Sequence, residues 1–80
     1  MSENMRTMVM PNSLEAEKSV LGAMMQDSTA VMQAAEALKA EDFYQPEHRE
    51  IFDAMIRLWR DQSPVDLVTL DDELSRRGTL

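Results

Sequence analysis

His48 is the only histidine in the chain, and so the first residue to consider for metal or acid–base chemistry. A protein metal site needs three or four ligands at suitable spacing, and one histidine without any cysteine does not supply them. At 100° per residue, His48 falls inside the apolar stripe of a predicted helix, between Met55 and Trp59 in angle. We therefore interpret His48 as a buried structural residue that makes a hydrogen bond, and not as a ligand or a general base.

Glu17 is a second polar residue on an otherwise apolar helix face. A buried carboxylate needs a partner, because removing an unpaired charge from water is very unfavourable. Two interpretations remain open. Glu17 either compensates the helix dipole in the first turn, or its carboxylate pairs with His48 or with backbone N–H groups.

The other residues contain no arrangement that catalysis requires. The sequence has no paired carboxylates, no Ser/His/Asp set and no phosphate loop of the form G-x-x-x-x-G-K-[ST]. We predict that the chain is not an enzyme and has no catalytic, cofactor-binding or metal-binding residues of its own.

Length and charge limit the classes of partner. The chain has 80 residues, no cysteine and a net charge of −7, from 8 Lys and Arg against 15 Asp and Glu. Such a length builds one small domain. Its acidic surface disfavours direct DNA binding, because phosphate affinity comes from clustered Lys and Arg. The sequence has neither an apolar run that could span a bilayer nor a secretory signal, so we expect a cytoplasmic protein without a membrane partner.

Helix signals divide the chain into an arm and a globular head. Residues 1–10 show no periodicity and are interpreted as a flexible arm, and residues 11–80 as a helical head. The first helix is expected to begin with a capping box between Asn12 and Glu15. Gly22 lies inside this helix, at a cost of about 1 kcal/mol relative to Ala, so we expect another backbone to approach it closely.

The middle of the chain predicts two further helices joined by a turn. The second helix is expected near Thr29–Leu38, and the turn over Glu41–Tyr44 should place Phe43, and as a further candidate Tyr44, in the core. The third helix is expected near Pro46–Asp61, with proline at its first position. Its apolar face is wider than the stripe of about 100° typical of a surface helix. We therefore expect this helix to lie centrally and to contact neighbours on two sides.

The last segment predicts a short extended stretch over Val65–Val68 and then a short helix. Thr69 and Asp72 are read as its capping box, and Gly78 fits the C′ position that follows a helix. The expected fold is all-α, a compact bundle of about four to five helices. The predicted structural core consists of Leu21, Phe43, His48, Phe52, Trp59 and Leu74.

Several short stretches, taken in order, resemble one known family. They are Glu15-Ala16-Glu17, Val20-Leu21-Gly22, Asp42-Phe43-Tyr44, His48, Ile51-Phe52, Pro64-Val65-Asp66-Leu67-Val68-Thr69-Leu70, Leu74 and Gly78-Thr79-Leu80. This pattern resembles the N-terminal domain of the bacterial replicative DNA helicase, the DnaB family, from about Pro11 to Leu80 without a gap.

The resemblance implies a non-catalytic part of a much larger machine. Members of that family form a hexameric ring, whose N-terminal domains build a collar and help to recruit primase. The resemblance also implies that a helical hairpin, a linker and a RecA-like motor using ATP and magnesium follow the head. No position of this sequence matches the ATP- and DNA-binding residues of that motor. Because the apolar face of the third helix is wide and the hairpin implied by the resemblance would normally cover apolar surface, we expect self-association, as a dimer. The family's primase contacts lie partly on that hairpin, so we also expect little affinity of the head alone for primase.

A different class of function remains open beside this one. A free-standing acidic helical regulator could use the same head to bind the helicase collar. A reading frame that continues past Leu80 into a strand, a phosphate loop and a helix would favour the helicase domain, and termination there would favour the regulator.

Overall fold

The computed structural model describes residues 14–78, and the arm predicted over residues 1–10 and the capping box at Asn12 lie outside them. The described chain is helical and contains no strand, as the sequence predicts. Its elements are helix α1 (Leu14–Gln26), helix α2 (Ser28–Ala37), a 3₁₀ turn (Ala40–Asp42), helix α3 (Pro46–Arg60) and helix α4 (Leu67–Arg76). No helix within this part of the chain is long and apolar enough to cross a membrane.

Helix α3 is the central element, as predicted from its wide apolar face. It packs against α1, α2, the 3₁₀ turn and α4, whereas α1 and α2 also pack against each other. Proline at its first position costs the helix no hydrogen bond, because the N–H groups of a first turn have no partner within the helix. The buried residues of α3 are Phe52, Ala54, Met55, Ile56 and Leu58.

The C-terminal end of α3 forms a Schellman motif. The N–H of Gln62 donates to the carbonyl of Trp59 at 3.0 Å, and the N–H of Ser63 donates to the carbonyl of Leu58 at 2.9 Å. Gln62 therefore adopts a positive φ of 62°, the left-handed conformation in which glycine is usual. This motif ends the helix and turns the chain towards α4.

Helix α4 begins earlier than the sequence predicted. Asp66 is the N-cap, and its carboxylate accepts from the N–H of Thr69 at 2.9 Å, while Thr69 Oγ1 accepts from the N–H of Asp66 at 3.0 Å. The predicted capping box between Thr69 and Asp72 is therefore wrong, because Thr69 is the third residue of the helix. The predicted extended stretch is wrong for the same reason at Leu67 and Val68, which form the first turn.

The end of α4 lies where the sequence predicted it. Gly78 has a φ of 75° and its N–H donates to the carbonyl of Ser75 at 3.0 Å. It therefore occupies the C′ position that was predicted for it.

The core lies where α1, α2 and α4 meet α3. Phe43 is fully buried and Phe52 is 3% exposed, and the two ring centroids are 4.9 Å apart at a tilt of 38°. Tyr44, the other candidate of the turn, is 63% exposed and does not enter the core. The turn presents one aromatic ring inwards and the next outwards, because consecutive residues of an extended backbone point in opposite directions.

Gly22 does not have the close neighbour that was expected. It is exposed on α1, and a Cβ atom at this position would meet nothing within 4 Å. The expectation of a close backbone approach is therefore wrong within the described residues, and nothing in the structure explains the glycine.

The two adjacent aromatic residues of the turn give a direct test of the core. Replacing Phe43 with Ala should lower the free energy of unfolding by roughly 3–5 kcal/mol, because it leaves a cavity beside Phe52. Tyr44→Ala is the matched control and should change it by no more than about 0.5 kcal/mol. Urea unfolding followed by circular dichroism measures both, and equal losses in the two variants would contradict this description of the core.

Candidate functional site

The most unusual feature of the interior is the carboxylate of Glu17. The buried residues of α1 are Glu17, Leu21 and Met24, which follow one another at helical spacing along a single stripe. Glu17 is 0% exposed and is the one charged residue among the buried residues that the structure describes. The helix thus directs a carboxylate into the position that an apolar side chain would normally fill.

Three donors surround this carboxylate, two from the backbone just before α3 and one from its first turn. The backbone N–H of Tyr44 donates to Glu17 Oε2, and the N–H of Gln45 donates to Oε1 at 3.3 Å. His48 Nδ1 lies 2.7 Å from the same Oε1. No buried side-chain nitrogen or oxygen within residues 14–78 lacks a hydrogen-bond partner. Both oxygens of the buried Glu17 carboxylate are therefore hydrogen-bonded.

The start of α3 has no capping side chain of its own. The first backbone N–H groups of a helix have no partner within it, and a capping side chain usually accepts from them. Gln45 is the N-cap of α3, and its side chain makes no capping hydrogen bond. The carboxylate of Glu17 accepts from the N–H groups of Gln45 and of Tyr44, the N-cap residue and the residue before it. Its negative charge lies at the favourable end of the α3 dipole.

The geometry also determines which nitrogen of His48 carries a proton. An ionised carboxylate can only accept hydrogen bonds, so Nδ1 must be the donor to Glu17. The His48 side chain is 12% exposed. It is therefore a partly buried residue that makes a hydrogen bond at the edge of the core.

The surroundings of Glu17 lower its pKa. Burial by itself raises the pKa of this carboxyl, because it disfavours the charged form. The hydrogen bonds from the Tyr44 amide, from His48 and from the Gln45 amide outweigh burial and hold the pKa below its ordinary value. The group is an ionised carboxylate that the protein stabilises, and not a proton donor kept neutral by burial.

A second contact holds the same turn on the other side. Arg49 Nε donates to the carbonyl of Phe43 at 2.6 Å. The Asp42 carboxylate accepts from the N–H of Lys39 at 2.8 Å and closes the preceding 3₁₀ turn. The backbone that carries the donors to Glu17 is therefore held in place from both directions.

A charged cluster joins the far end of α4 to α3. Arg77 Nε lies 3.0 Å from Glu73 Oε2, and Arg77 Nη1 lies 3.1 Å from Asp53 Oδ2 and 3.6 Å from Glu50 Oε1. Burial lowers the pKa of Arg77, but its hydrogen bonds to Glu73 and Asp53 outweigh this and raise it. Arg77 therefore connects two helices through ion pairs.

The six residues predicted as core lie in two kinds of environment. Leu21, Phe43, Phe52 and Leu74 are buried. His48 is partly buried, and Trp59 is a partly buried residue packed against the edge of the core. Trp59 was expected inside the core, but only part of its side chain is covered, although its neighbour Leu58 is buried.

The two interpretations of Glu17 can now be compared. The side chain pairs with His48 and with backbone N–H groups, which is the second of the two. The sequence did not identify Tyr44 and Gln45 as the donors. No local signal indicated them, because these donors are 27 and 28 residues away from Glu17 along the chain.

The carboxylate of Glu17 is not accessible from the surface. It is enclosed and occupied by three donors. Among the described residues, no group of three or more His, Cys, Asp and Glu side chains could hold a metal ion. The arrangement positions helices, and its effect is structural.

Replacing Glu17 with Gln tests this role. The amide keeps one acceptor but places an NH₂ group against backbone donors, so we expect a loss of roughly 3–5 kcal/mol of stability, as for other broken buried charge networks. Glu15→Gln is the control, because Glu15 is an exposed carboxylate in the first turn of the same helix. It should change the stability by no more than about 0.5 kcal/mol. Similar losses in both variants would favour a dipole effect.

The lowered pKa of Glu17 predicts a specific dependence of stability on pH. The stabilisation is complete above the ordinary pKa of 4.5 and is lost as the pH falls through the lower pKa of the folded state. The free energy of unfolding should therefore fall more steeply in acid for the unsubstituted chain than for Glu17→Gln. Carbon-13 NMR of the Glu17 carboxyl measures the folded pKa independently. A value at or above 4.5 would contradict the assigned network.

Comparisons with known proteins agree in pointing to one family. Residues 9–80 match the family described as DnaB-like helicase N terminal domain. The replicative DNA helicase DnaB of Geobacillus stearothermophilus is 47% identical over 75 residues, which is 94% of this chain and 16% of that protein. The DnaB helicase of Haemophilus influenzae is 48% identical over 68 residues, which is 85% of this chain and 14% of that protein. The chain thus spans only a small part of these relatives.

A solved structure shows the same fold. The crystal structure of the N-terminal domain of DnaB helicase from Mycobacterium tuberculosis matches with a TM-score of 0.84 and 43% sequence identity. The match covers 88% of this chain and 49% of that chain. Sequence and fold lead to the same assignment over most of the described residues, and the chain belongs to the family of DnaB-like helicase N-terminal domains.

Proposed function

We propose that this chain is a non-catalytic interaction domain of a hexameric replicative DNA helicase. It contributes to assembly of the N-terminal collar and to recruitment of primase during DNA replication in the cytoplasm. The observation that carries this proposal is the family match over residues 9–80, together with the fold shared with a DnaB N-terminal domain.

The chemistry of the described residues supports an interaction role. The buried carboxylate is held by three donors, and Arg77 is occupied by ion pairs to neighbouring helices. The sequence has no phosphate loop to bind a nucleotide. In this proposal ATP and magnesium belong to the motor of the full-length helicase, and this domain binds neither.

The mechanism is the presentation of a fixed surface. Glu17 connects α1 to the start of α3, and Arg77 connects α3 to the end of α4. The Glu17 connection is buried and uses charged hydrogen bonds, which are stronger than neutral ones, so it fixes α1 relative to α3. The position of α4 depends mainly on its buried residues Leu70 and Leu74, because Asp53 is 64% exposed and an exposed ion pair is worth little. A collar built from several copies needs such heads, since each must offer the same surface to its neighbours. The net charge of −7 supports contacts with proteins and not with DNA.

The alternative is a free-standing acidic regulator that binds the helicase collar, and the same net charge of −7 favours it. The two proposals differ in what the chain does to an intact helicase. A regulator binds the assembled ring tightly and reduces unwinding. A collar domain added as a separate chain has no open position in a complete ring, so unwinding should be unchanged.

We expect weak self-association and little intrinsic affinity for primase. Sedimentation equilibrium from micromolar to millimolar protein should show a mass that rises towards a dimer with concentration. Calorimetric titration with the C-terminal domain of a primase should show binding weaker than micromolar.

Each measurement has an outcome that contradicts its expectation. A single monomer mass at every concentration rejects the self-association of this chain. Submicromolar binding of primase would show that the head alone carries the docking site. Strong inhibition of an intact helicase would favour the regulator. Glu15→Gln serves as a control in all three experiments. It removes one exposed charge from α1 and should leave the chain folded.

A further inference from the structure

Two neighbouring apolar residues at the start of α4 are largely exposed. Leu67 is 74% exposed and Val68 is 79% exposed, more than any other large apolar residue that the structure describes as exposed. They are the first two residues of the helix, directly after the N-cap Asp66. The remaining apolar residues of α4, Leu70 and Leu74, are buried. The helix therefore has one apolar face, Leu70 and Leu74, that packs in the core. Its other apolar pair, Leu67 and Val68, remains exposed.

Two carboxylates lie one helical turn after this pair, on the C-terminal side. Residues three and four apart are neighbours on a helix surface, so Asp71 adjoins both Leu67 and Val68, and Asp72 adjoins Val68. Both aspartates are exposed. We call Leu67, Val68, Asp71 and Asp72 the acidic edge of α4.

The acidic edge is separate from the contacts that hold α4 in the fold. Those contacts use Leu70 and Leu74 in the core and the ion pairs of Glu73 and Arg77 towards α3. The one ion pair at the acidic edge joins Asp72 to Arg76 at 2.9 Å, and both side chains are 67% exposed. Such an exposed pair is worth little, so a stronger partner can displace it.

We propose that the acidic edge of α4 docks a partner protein through an amphipathic helix in which apolar anchors are flanked by Lys or Arg. The apolar residues of the partner cover Leu67 and Val68, and its cations reach Asp71 and Asp72. Lys and Arg suit this position because their aliphatic stems lie on apolar surface while the charged ends remain near water and near a carboxylate.

Charge complementarity distinguishes this occupant from others. A nucleic acid is repelled by carboxylates, because its affinity comes from Lys and Arg contacts to phosphate. A second copy of this chain, with a net charge of −7, would bring another acidic surface against these aspartates. A basic helix has the opposite charge, which speeds encounter and orients the complex. The inference goes beyond the proposed collar role and holds whether or not the chain assembles a helicase.

The test uses a synthetic amphipathic helical peptide of leucine and lysine as the probe. Titration into the nitrogen-15-labelled chain should shift the amide resonances of residues 66–72 first. Leu67→Ser with Val68→Ser should weaken binding by about tenfold. Asp71→Asn with Asp72→Asn should also weaken it and reduce its dependence on salt. These four residues are exposed, so circular dichroism should remain unchanged.

Two controls exclude non-specific attraction. Met32→Ser with Glu36→Gln removes another exposed apolar residue with a carboxylate one turn away, on α2, and should leave the affinity unchanged. A matched peptide with glutamate in place of lysine should not bind. Equal weakening by the α2 control, or resonance shifts spread over the whole acidic surface, would overturn the proposal. So would a dimer that the Leu67→Ser, Val68→Ser variant abolishes, because the occupant would then be a second copy.

Discussion

The carboxylate of Glu17 lies fully buried against the start of α3, where the amides of Tyr44 and Gln45 and the Nδ1–H of His48 bind it. Without partners, the removal of such a charge from water would cost several kcal/mol. The donors are 27 to 31 residues away along the chain, so they meet the carboxylate only when α1 has packed against α3. The network therefore favours one arrangement of these helices. An apolar residue in place of Glu17 would tolerate other arrangements equally well.

The rest of the bundle follows from the position of α3. Its first turn is held by Glu17 and by the hydrogen bond between Arg49 and the Phe43 carbonyl. The Phe43 ring packs against Phe52 of the same helix. Its outer face is connected to α4 through Arg77 and Asp53. Polar contacts thus surround an apolar centre. A domain this small buries a limited apolar area, so these contacts supply much of its specificity.

The sequence predicted the parts of the fold that depend on local periodicity. The central position of α3 follows from apolar spacing, and the C′ role of Gly78 follows from the turn chemistry of a helix end. For Glu17 the sequence left open whether its carboxylate compensates the helix dipole or pairs with His48 and backbone N–H groups. The start of α4 was misplaced because Asp66 and Thr69 are both good capping residues, and the pattern alone did not rank them. The exposure of Tyr44 and the open surroundings of Gly22 depend on tertiary packing, which no local pattern contains.

The left-handed conformation of Gln62 has a consequence for variation at this position among homologous sequences. For a residue with a Cβ, the left-handed conformation costs roughly 1–2 kcal/mol of conformational free energy. Glycine adopts this conformation freely, but it loses more backbone entropy on folding. At a positive φ the first effect is the larger of the two. Gln62→Gly is therefore expected to be tolerated, whereas a β-branched side chain should be the least tolerated at residue 62. The backbone conformation of this residue ends the longest helix that the structure describes.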